Sequence, residues 1–255
     1  MIILKTPAEI DAMRPAGRLA AEVLEEVGKM IQPGVKLKDL DRKAAYLIKA
    51  GGAEPTYLNY RQMPEQPPFP GVITASVNHE VCHGFPDQRV LKNGDIVCLD
   101  IGLRLNGWCG DTCRTWGVGE VSTQAQKLMD VTRQSLDDAI QAVKPGGRLG
   151  DIGAVIQKLA EANGYGIVKE FGGHGIGRDP HESPFVPHYG QAGTGLELRP
   201  GLVFTIEPML NAGSDRIKVK SDGWTAVTAD GSLSAQYEHM LAVLKDRVIV
   251  LTALD

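Results

Sequence analysis

The chain has 255 residues, of which 43% are hydrophobic and 23% charged, and its formal net charge is -4 at pH 7. These values are ordinary for a globular protein, and the acidic balance gives no electrostatic reason to expect binding to nucleic acid or to an anionic membrane. No apolar run is long enough for a transmembrane helix, and the N-terminus has no basic region before a long apolar core, so no signal peptide is expected.

Two amphipathic helices are predicted at the start of the chain. Apolar residues recur at helical spacing from Leu19 to Ile31, and Pro33-Gly34 ends that helix. Asp39 is a residue type that favours the N-cap, so a second helix is predicted from Asp39 to Lys49.

A β-hairpin is predicted around Asn106-Gly107, because this dipeptide between apolar-alternating stretches is a strong turn signal. With the turn centred there, residue 100 faces 113 and residue 102 faces 111. Side-chain alternation then places Asp100 and Asp111 on one face as diagonal neighbours, and Gly102 leaves room beside Asp111. Carboxylates this close repel unless a cation lies between them or one is protonated. Two solvated acids are the alternative, but the apolar residues around Asp100 indicate a strand buried on at least one face.

The second half of the chain repeats the helical pattern of the first at an offset of 112 residues. Pro145-Gly146 corresponds to Pro33-Gly34, and a further helix is predicted from Asp151 to Ala162. We therefore predict one domain, residues 1–255, built from two helix-helix-strand halves at about 10–120 and 121–245. Chance recurrence of Pro-Gly helix ends is the alternative. A repeat of this kind would place a functional site where the two halves meet.

Three ionisable residues of the second half are candidates for that site. His174 lies among four glycines, which let other groups approach the imidazole, and the spacing does not match a dinucleotide-binding loop. Glu207 ends an apolar strand, and Glu238 lies in a predicted strand from Ala235 to Leu244, where a carboxylate is costly unless it is paired or metal-bound. A structural histidine and ion-paired acids are the alternatives. With the two aspartates, these residues form an oxygen-rich set that suits Mn, Fe(II), Co or Zn, and four carboxylates balance two divalent ions.

His83 and His181 are candidates for hydrogen bonding to a reacting carbonyl or amide, although lone histidines are more often structural. Three other histidines are interpreted as structural: His79, His188 and His239. Free thiols in a reducing cytoplasm are predicted for the cysteines, which form no C-x-x-C pair: Cys82, Cys98, Cys109 and Cys113.

In order and spacing, the candidate ligands resemble the dinuclear metal set of the pita-bread fold: Asp100, Asp111, His174, Glu207 and Glu238. Methionine aminopeptidases, proline-directed peptidases and creatinase share that fold. Finer motifs resemble type I methionine aminopeptidases: the segments 76–84 (SVNHEVCHG), 173–177 (GHGIG), 181–184 (HESP), 205–209 (TIEPM) and 234–239 (SAQYEH). Prolidase-like relatives usually carry His-Asp in place of His181-Glu182. The resemblance covers nearly the whole chain and implies an α+β pita-bread fold, with two halves related by a pseudo-two-fold axis and a curved antiparallel sheet covered by helices.

The resemblance also implies a role for each residue. Asp100 would chelate one of two divalent ions, Asp111 and Glu238 would bridge both, and His174 and Glu207 would complete the other. Glu207 would also shuttle a proton, His181 would stabilise the oxyanion, His83 would contact the scissile peptide, and Trp224 would line the methionine pocket. A monovalent cation is further implied near the carbonyls of Asn78, Glu80 and Ser234.

The implied activity is the removal of the initiator methionine from nascent proteins when the second residue is small. The expected protein is a cytoplasmic monomer that acts on peptides and nascent polypeptides, with no nucleic-acid or membrane partner. Contact with the ribosome is inferred from that activity alone. The alternatives are a proline-directed aminopeptidase or dipeptidase of the same fold and an inactive peptide-binding paralogue. Inactive relatives usually lose metal ligands, and all five are present here.

Three departures from the type I pattern concern the substrate pocket. Pro180 stands where an aromatic residue is usual, and Met240 stands where a threonine usually supports the metal ligands. Residues 61–68 form an insertion in the loop that normally supplies pocket aromatics. Candidates to replace those aromatics are Tyr57, Tyr60 and Phe69.

Overall fold

The computed structural model of the protein describes residues 2–254. Its helices are α1 (Pro7–Gly28), α2 (Leu37–Ala50), α3 (Thr123–Ala142) and α4 (Leu149–Ala162). Its strands are β1 (Glu54–Pro55), β2 (Thr74–Val77), β3 (Glu80–Cys82), β4 (Ile96–Leu105), β5 (Trp108–Gly117), β6 (Gly166–Ile167), β7 (Gly173–Gly175), β8 (Glu182–Val186), β9 (Val203–Ile206), β10 (Met209–Asn211), β11 (Ile217–Val219), β12 (Ala226–Thr228), β13 (Ser234–Gln236), β14 (His239–Val243) and β15 (Val248–Val250). None of the helices in this range is both long and apolar enough to cross a membrane.

The strands form four sheets in which neighbouring strands run antiparallel. Strands β1, β4 and β2 form one sheet with β5 on β4, and the order β15-β14-β9-β7-β8 forms the longest. The two smaller sheets have the orders β13-β10-β6 and β11-β12-β3. Helix α1 packs against β4 and β5, and α3 packs against α4 and β13. This combination of helices with antiparallel sheets confirms the predicted α+β class.

The β4–β5 hairpin has the register predicted from its sequence. Asp100 pairs with Cys113, and Gly102 pairs with Asp111. The turn residues Asn106 and Gly107 have φ angles of 52° and 77°, and a type I′ turn requires positive φ at both central positions. The two aspartates are therefore diagonal neighbours on one face of the hairpin, as expected.

Helices α2 and α4 begin two residues before the predicted aspartates. Lys36 and Arg148 occupy the N-cap positions in extended conformation. The Asp151 carboxylate accepts a hydrogen bond from the Arg148 backbone N–H at 2.8 Å, so this aspartate caps the helix from inside its first turn. The prediction that Asp39 and Asp151 start these helices was therefore wrong by two residues.

Three hydrophobic clusters form the interior of the described residues, and two of them are large. The first joins α1 and α2 to β2, β4 and β5, and the second joins α3 and α4 to β9, β13 and β14. The first cluster also includes Ile176, Val203 and Met240 from the second half of the sequence. The division into two halves stays a prediction, although most members of each cluster come from one of them.

Candidate metal centre

One cavity of about 180 Å³ brings the predicted site together. The predicted metal ligands Asp100, Asp111, His174, Glu207 and Glu238 all line it, as do His83 and His181. The β4–β5 hairpin carries the two aspartates, β7 carries the imidazole, and the glutamates lie at or beyond the ends of β9 and β13. The cavity therefore lies where the hairpin meets the strands of the second half.

The ligand atoms are close enough to share a cation. One side-chain ligand atom from each of Asp111, His174 and Glu238 lies within 4.8 Å of the other two. The His174 Nε2 atom is 3.5 Å from Glu207 Oε1 and 3.8 Å from Asp111 Oδ2. Asp100 joins this group through Tyr57, whose hydroxyl donates to Asp100 Oδ2 at 2.9 Å and lies 3.4 Å from Asp111 Oδ1.

Glu238 lies at a break between strands, and the single strand predicted around it was wrong. Strand β13 ends at Gln236 and β14 begins at His239. The Glu238 backbone N–H donates to the Cys113 carbonyl at 3.0 Å, and the Thr112 hydroxyl donates to the Glu238 carbonyl at 2.7 Å. These bonds tie the break to β5 beside Asp111.

The His174 imidazole is oriented as a metal ligand. Its Nδ1 atom lies 3.0 Å from the Gly175 carbonyl, which can only accept a hydrogen bond. The ring proton is therefore on Nδ1, and the Nε2 lone pair faces Glu207 and Asp111. Burial, with a smaller effect from His181, lowers the pKa of His174 to about 3, so the ring is neutral at pH 7.

The four carboxyl groups resist ionising together. Burial is the main cause that raises the pKa of Asp100 to about 6 and holds the pKa of the other three well above its usual range. The charge of a neighbouring carboxylate is the next cause for Asp111, Glu207 and Glu238. A cation removes this repulsion and favours the ionised form of each group.

An unpartnered oxygen supports the fit of these residues to a metal ion. Asp100 Oδ1 is buried and accepts no hydrogen bond from any described residue. A buried carboxylate oxygen without a donor is costly unless a cation contacts it. With three further carboxylates and a neutral imidazole, the donor set matches what Mn, Fe(II), Co and Zn accept.

The two other histidines occupy the cavity wall and its mouth. Burial, then the charge of His181, lowers the pKa of His83 to about 4, so its ring is neutral at pH 7. His181 is exposed, and its ring centroid lies 4.5 Å from that of His174. The Tyr60 hydroxyl lies 3.2 Å from His181 Nδ1. If Tyr60 donates this bond, the His181 proton is on Nε2.

Trp224 lies behind the cavity rather than among its lining residues. Its indole Nε1–H donates to the Pro67 carbonyl at 2.7 Å, and its ring meets those of His83 and Phe69 edge-on at 6.1 and 5.3 Å. The Tyr60 ring is 6.2 Å away. Pro67 of the 61–68 segment thus contacts Trp224, and a role for this tryptophan in substrate binding stays a prediction.

The remaining sequence predictions concern a monovalent cation and the cysteines. The Asn78 carbonyl accepts a hydrogen bond from the Ser234 backbone N–H at 2.8 Å, and Glu80 is buried beside Arg89 and Lys220. A monovalent cation near these carbonyls stays a prediction. All four cysteines are buried and free, which confirms the predicted thiols.

Four residues that contact the ligands were missed from the sequence: Tyr57 as a donor to the aspartates, Thr205, Gln236 and His188. The Thr205 hydroxyl and the Gln236 amide donate to the Glu207 carboxylate at 3.0 and 3.1 Å. Thr205 lies two residues before Glu207, and side chains two apart in a strand share a face, so a signal was available for Thr205. Gln236 lies two residues before Glu238 but bonds to Glu207, which the sequence did not indicate. His188 Nε2 accepts from the Glu207 backbone N–H at 3.1 Å, and no sequence pattern indicated it.

Known proteins resemble the chain over nearly its full length. Residues 11–245 match metallopeptidase family M24. Methionine aminopeptidase B of Synechocystis sp. is 47% identical over 98% of this chain and 92% of its own length. The crystal structure of methionine aminopeptidase from Rickettsia prowazekii has a TM-score of 0.95 and 43% identity, over 99% of this chain and 100% of that one.

A more distant likeness concerns the fold alone. The prolidase from Pyrococcus furiosus has a TM-score of 0.79 at 22% identity, and the match covers 99% of this chain but 66% of the prolidase. The fold predicted from the sequence, the pita-bread fold, is therefore confirmed. The long matches at high identity lead to one conclusion: the chain belongs to metallopeptidase family M24 and, within it, to the methionine aminopeptidases.

Proposed function

We propose that the protein is a metal-dependent aminopeptidase that removes the N-terminal methionine from polypeptides whose second residue is small. The observation that carries this proposal is the convergence of four carboxylates and one neutral imidazole on a single cavity, with one buried carboxylate oxygen left without a donor. Relatives named methionine aminopeptidase support the choice of substrate. We further propose that it acts as a monomer in the cytoplasm, where such substrates are made.

The ligand assignment is part of the proposal. Two divalent ions, when bound here, would act as Lewis acids on the substrate and lower the pKa of water to near neutral. Asp100 would hold one ion, His174 and Glu207 the other, and Asp111 and Glu238 would contact both. A monovalent cation near the carbonyls of Asn78, Glu80 and Ser234 is a further, separate proposal.

Glu207 has the surroundings of a proton carrier. Its Oε1 atom accepts from the Thr205 hydroxyl and its Oε2 atom from the Gln236 amide, which fix the carboxylate in the cavity. Burial raises its pKa in the metal-free cavity well above the usual range, and a bound cation would offset part of that rise. Glu207 can therefore accept a proton at the reacting centre and return it to the leaving amine.

Each of the two histidines can hydrogen-bond a peptide bond in the cavity. His181 carries its proton on Nε2 when Tyr60 donates to Nδ1, and it can then donate to the oxygen on which negative charge develops. The neutral His83 ring can hydrogen-bond the scissile amide. Both rings remain neutral at pH 7, so neither repels the cations that the carboxylates hold.

The wall beside His83 suits an unbranched apolar side chain. Cys82, Phe171 and Met209 line this part of the cavity, and Cys82 and Met209 are buried. Sulfur and aromatic groups make favourable contacts with a thioether. These residues support methionine as the first residue of the substrate.

The proposal is tested with peptides that begin Met-Gly, Met-Leu or Ala-Pro. The protein is first stripped of metal with a chelator and then resupplied with Mn(II), Fe(II) or Co(II). We expect metal-dependent release of methionine from the Met-Gly peptide and little or none from the other two. Release of alanine from Ala-Pro would instead indicate proline-directed activity. If no peptide were cleaved with any of the metals, the catalytic proposal would be contradicted.

A further inference from the structure

Tyr57 reaches the metal ligands from a segment that the sheet holds in place. Strand β1 pairs with the end of β4, with Pro55 opposite Leu103. The next residue, Thr56, donates its backbone N–H to the Gly102 carbonyl at 3.0 Å. This pairing sets Tyr57 beside Asp100, and its ring also packs against Phe69 with the centroids 6.0 Å apart.

Gly102 makes room for this segment. A Cβ atom at position 102 would lie 2.3 Å from the Thr56 hydroxyl oxygen and 3.2 Å from the Tyr57 ring. Any side chain there would clash with Thr56 and press against the Tyr57 ring. The space that the sequence predicted beside Asp111 is therefore filled by an aromatic ring carrying a hydroxyl group.

The Tyr57 hydroxyl hydrogen-bonds one oxygen of the Asp100 carboxylate and not the other. A phenol has one proton to donate. The 2.9 Å distance to Asp100 Oδ2 makes that oxygen its main acceptor, since Asp111 Oδ1 is 3.4 Å away. Asp100 Oδ1 keeps its lone pairs because no described donor reaches it. One oxygen is thus anchored and the other is left for a cation.

We propose that Tyr57 is a positioning residue for the metal centre: its hydroxyl anchors Asp100 and so strengthens binding of the ion that Asp100 contacts. This inference rests on the proposed function, because it requires Asp100 to be a ligand. Partners that hydrogen-bond a ligand from outside typically change metal affinity by about 10–100-fold. A tyrosine that merely filled space would leave that affinity unchanged when only its hydroxyl was removed.

The experiment compares Y57F with the unmodified protein in titrations of the metal-stripped forms with Mn(II) and Co(II). Calorimetry gives the affinity, and the Co(II) absorption spectrum reports the geometry of the site. We expect one of the two ions to bind about 10–100-fold more weakly to Y57F, with an altered Co(II) spectrum. The phenylalanine keeps the ring contact with Phe69, and circular dichroism checks the fold.

Y237F is the matched control. The Tyr237 hydroxyl donates to the Thr115 carbonyl at 2.9 Å, so its loss removes one buried hydrogen bond that does not involve a metal ligand. We expect Y237F to lower thermal stability while both ions bind with unchanged affinity.

Unchanged affinities in Y57F would overturn the inference. Tighter binding would also overturn it, because the hydroxyl would then compete with the ion. In either case, continued cleavage of the Met-Gly peptide would leave the proposed function standing. Failure of the unmodified protein to bind either metal would remove both proposals together.

Discussion

Replacing Glu238 with glutamine should stabilise the metal-free protein in a way that depends on pH. Glu238 is 3% exposed, and burial followed by the charge of Asp111 raises its pKa well above the ordinary 4.5. A carboxyl whose pKa is higher in the folded state gives its full stability below the unfolded pKa and loses it as the pH rises. Each unit by which the folded-state pKa exceeds the unfolded one lowers the free energy of unfolding at pH 7 by about 1.4 kcal/mol.

Glutamine removes this titration and keeps the shape of the side chain. The backbone bonds of Glu238 to Cys113 and Thr112 are unaffected by the change. We expect metal-free E238Q to be more stable than the unmodified protein at pH 7, by about 1.4 kcal/mol for each unit of that pKa difference, with the gain approaching zero near pH 4.5. Urea unfolding in the presence of a chelator measures the difference in the free energy of unfolding at each pH. E120Q, which alters an exposed carboxyl, should change stability at neither pH.

Adding metal should reverse the order of stability of the unmodified protein and E238Q. An ion that binds only the folded state stabilises it by about 4 kcal/mol at a thousand times its Kd, and E238Q loses part of this because it lacks a ligand. The unmodified protein should therefore be the more stable of the two in Mn(II). If metal-free E238Q were no more stable than the unmodified protein at pH 7, the reasoning would be refuted. A gain in stability that was equal at pH 4.5 and pH 7 would also refute it.

Three further predictions test the surroundings of the site. Lys5→Met should lower the free energy of unfolding by about 3 kcal/mol in urea, because it leaves the buried Glu182 carboxylate without its cation; adding Glu182→Gln should recover part of the loss. Arg178→Ala should reduce kcat by about fivefold at unchanged metal affinity, because the Arg178 guanidinium stacks 3.7 Å from the Trp108 ring and so holds the loop that carries His181; a change in metal affinity would contradict this. His174→Ala should abolish metal-dependent cleavage of the Met-Gly peptide and weaken binding of one ion in calorimetry, and retained turnover would contradict the ligand assignment.

Local patterns predicted the elements whose geometry is decided locally. The Asn106-Gly107 turn sets the register of its own strands, so the diagonal placement of Asp100 and Asp111 could be worked out from spacing alone. The sequence predicted the starts of α2 and α4 less accurately. An aspartate at the third helical position can satisfy the N-cap N–H just as Asp151 does, and sequence alone does not distinguish it from an aspartate at the N-cap itself.

Features that depend on distant contacts were not predicted. The strand break at Glu238 exists because its backbone bonds to β5, which is more than 100 residues earlier in the chain. Tyr57 was considered only as a pocket aromatic, because nothing near it in sequence shows that its hydroxyl meets Asp100. His188 was interpreted as structural, which its buried position supports, but its bond from the Glu207 backbone N–H was not predicted. In each case the deciding partner lies in another element.

The β4–β5 hairpin has a consequence for the order in which the site assembles during folding. A two-residue turn brings Asp100 and Asp111 together, whereas His174, Glu207 and Glu238 lie about 60 residues or more further along the chain. The entropy lost on closing a loop grows with its length, and contacts close in sequence form faster than distant ones. The hairpin can therefore offer two carboxylates to a cation while the second half is still unfolded. An ion captured at that stage would be a cross-link that later ligands join, rather than a late addition to a finished protein.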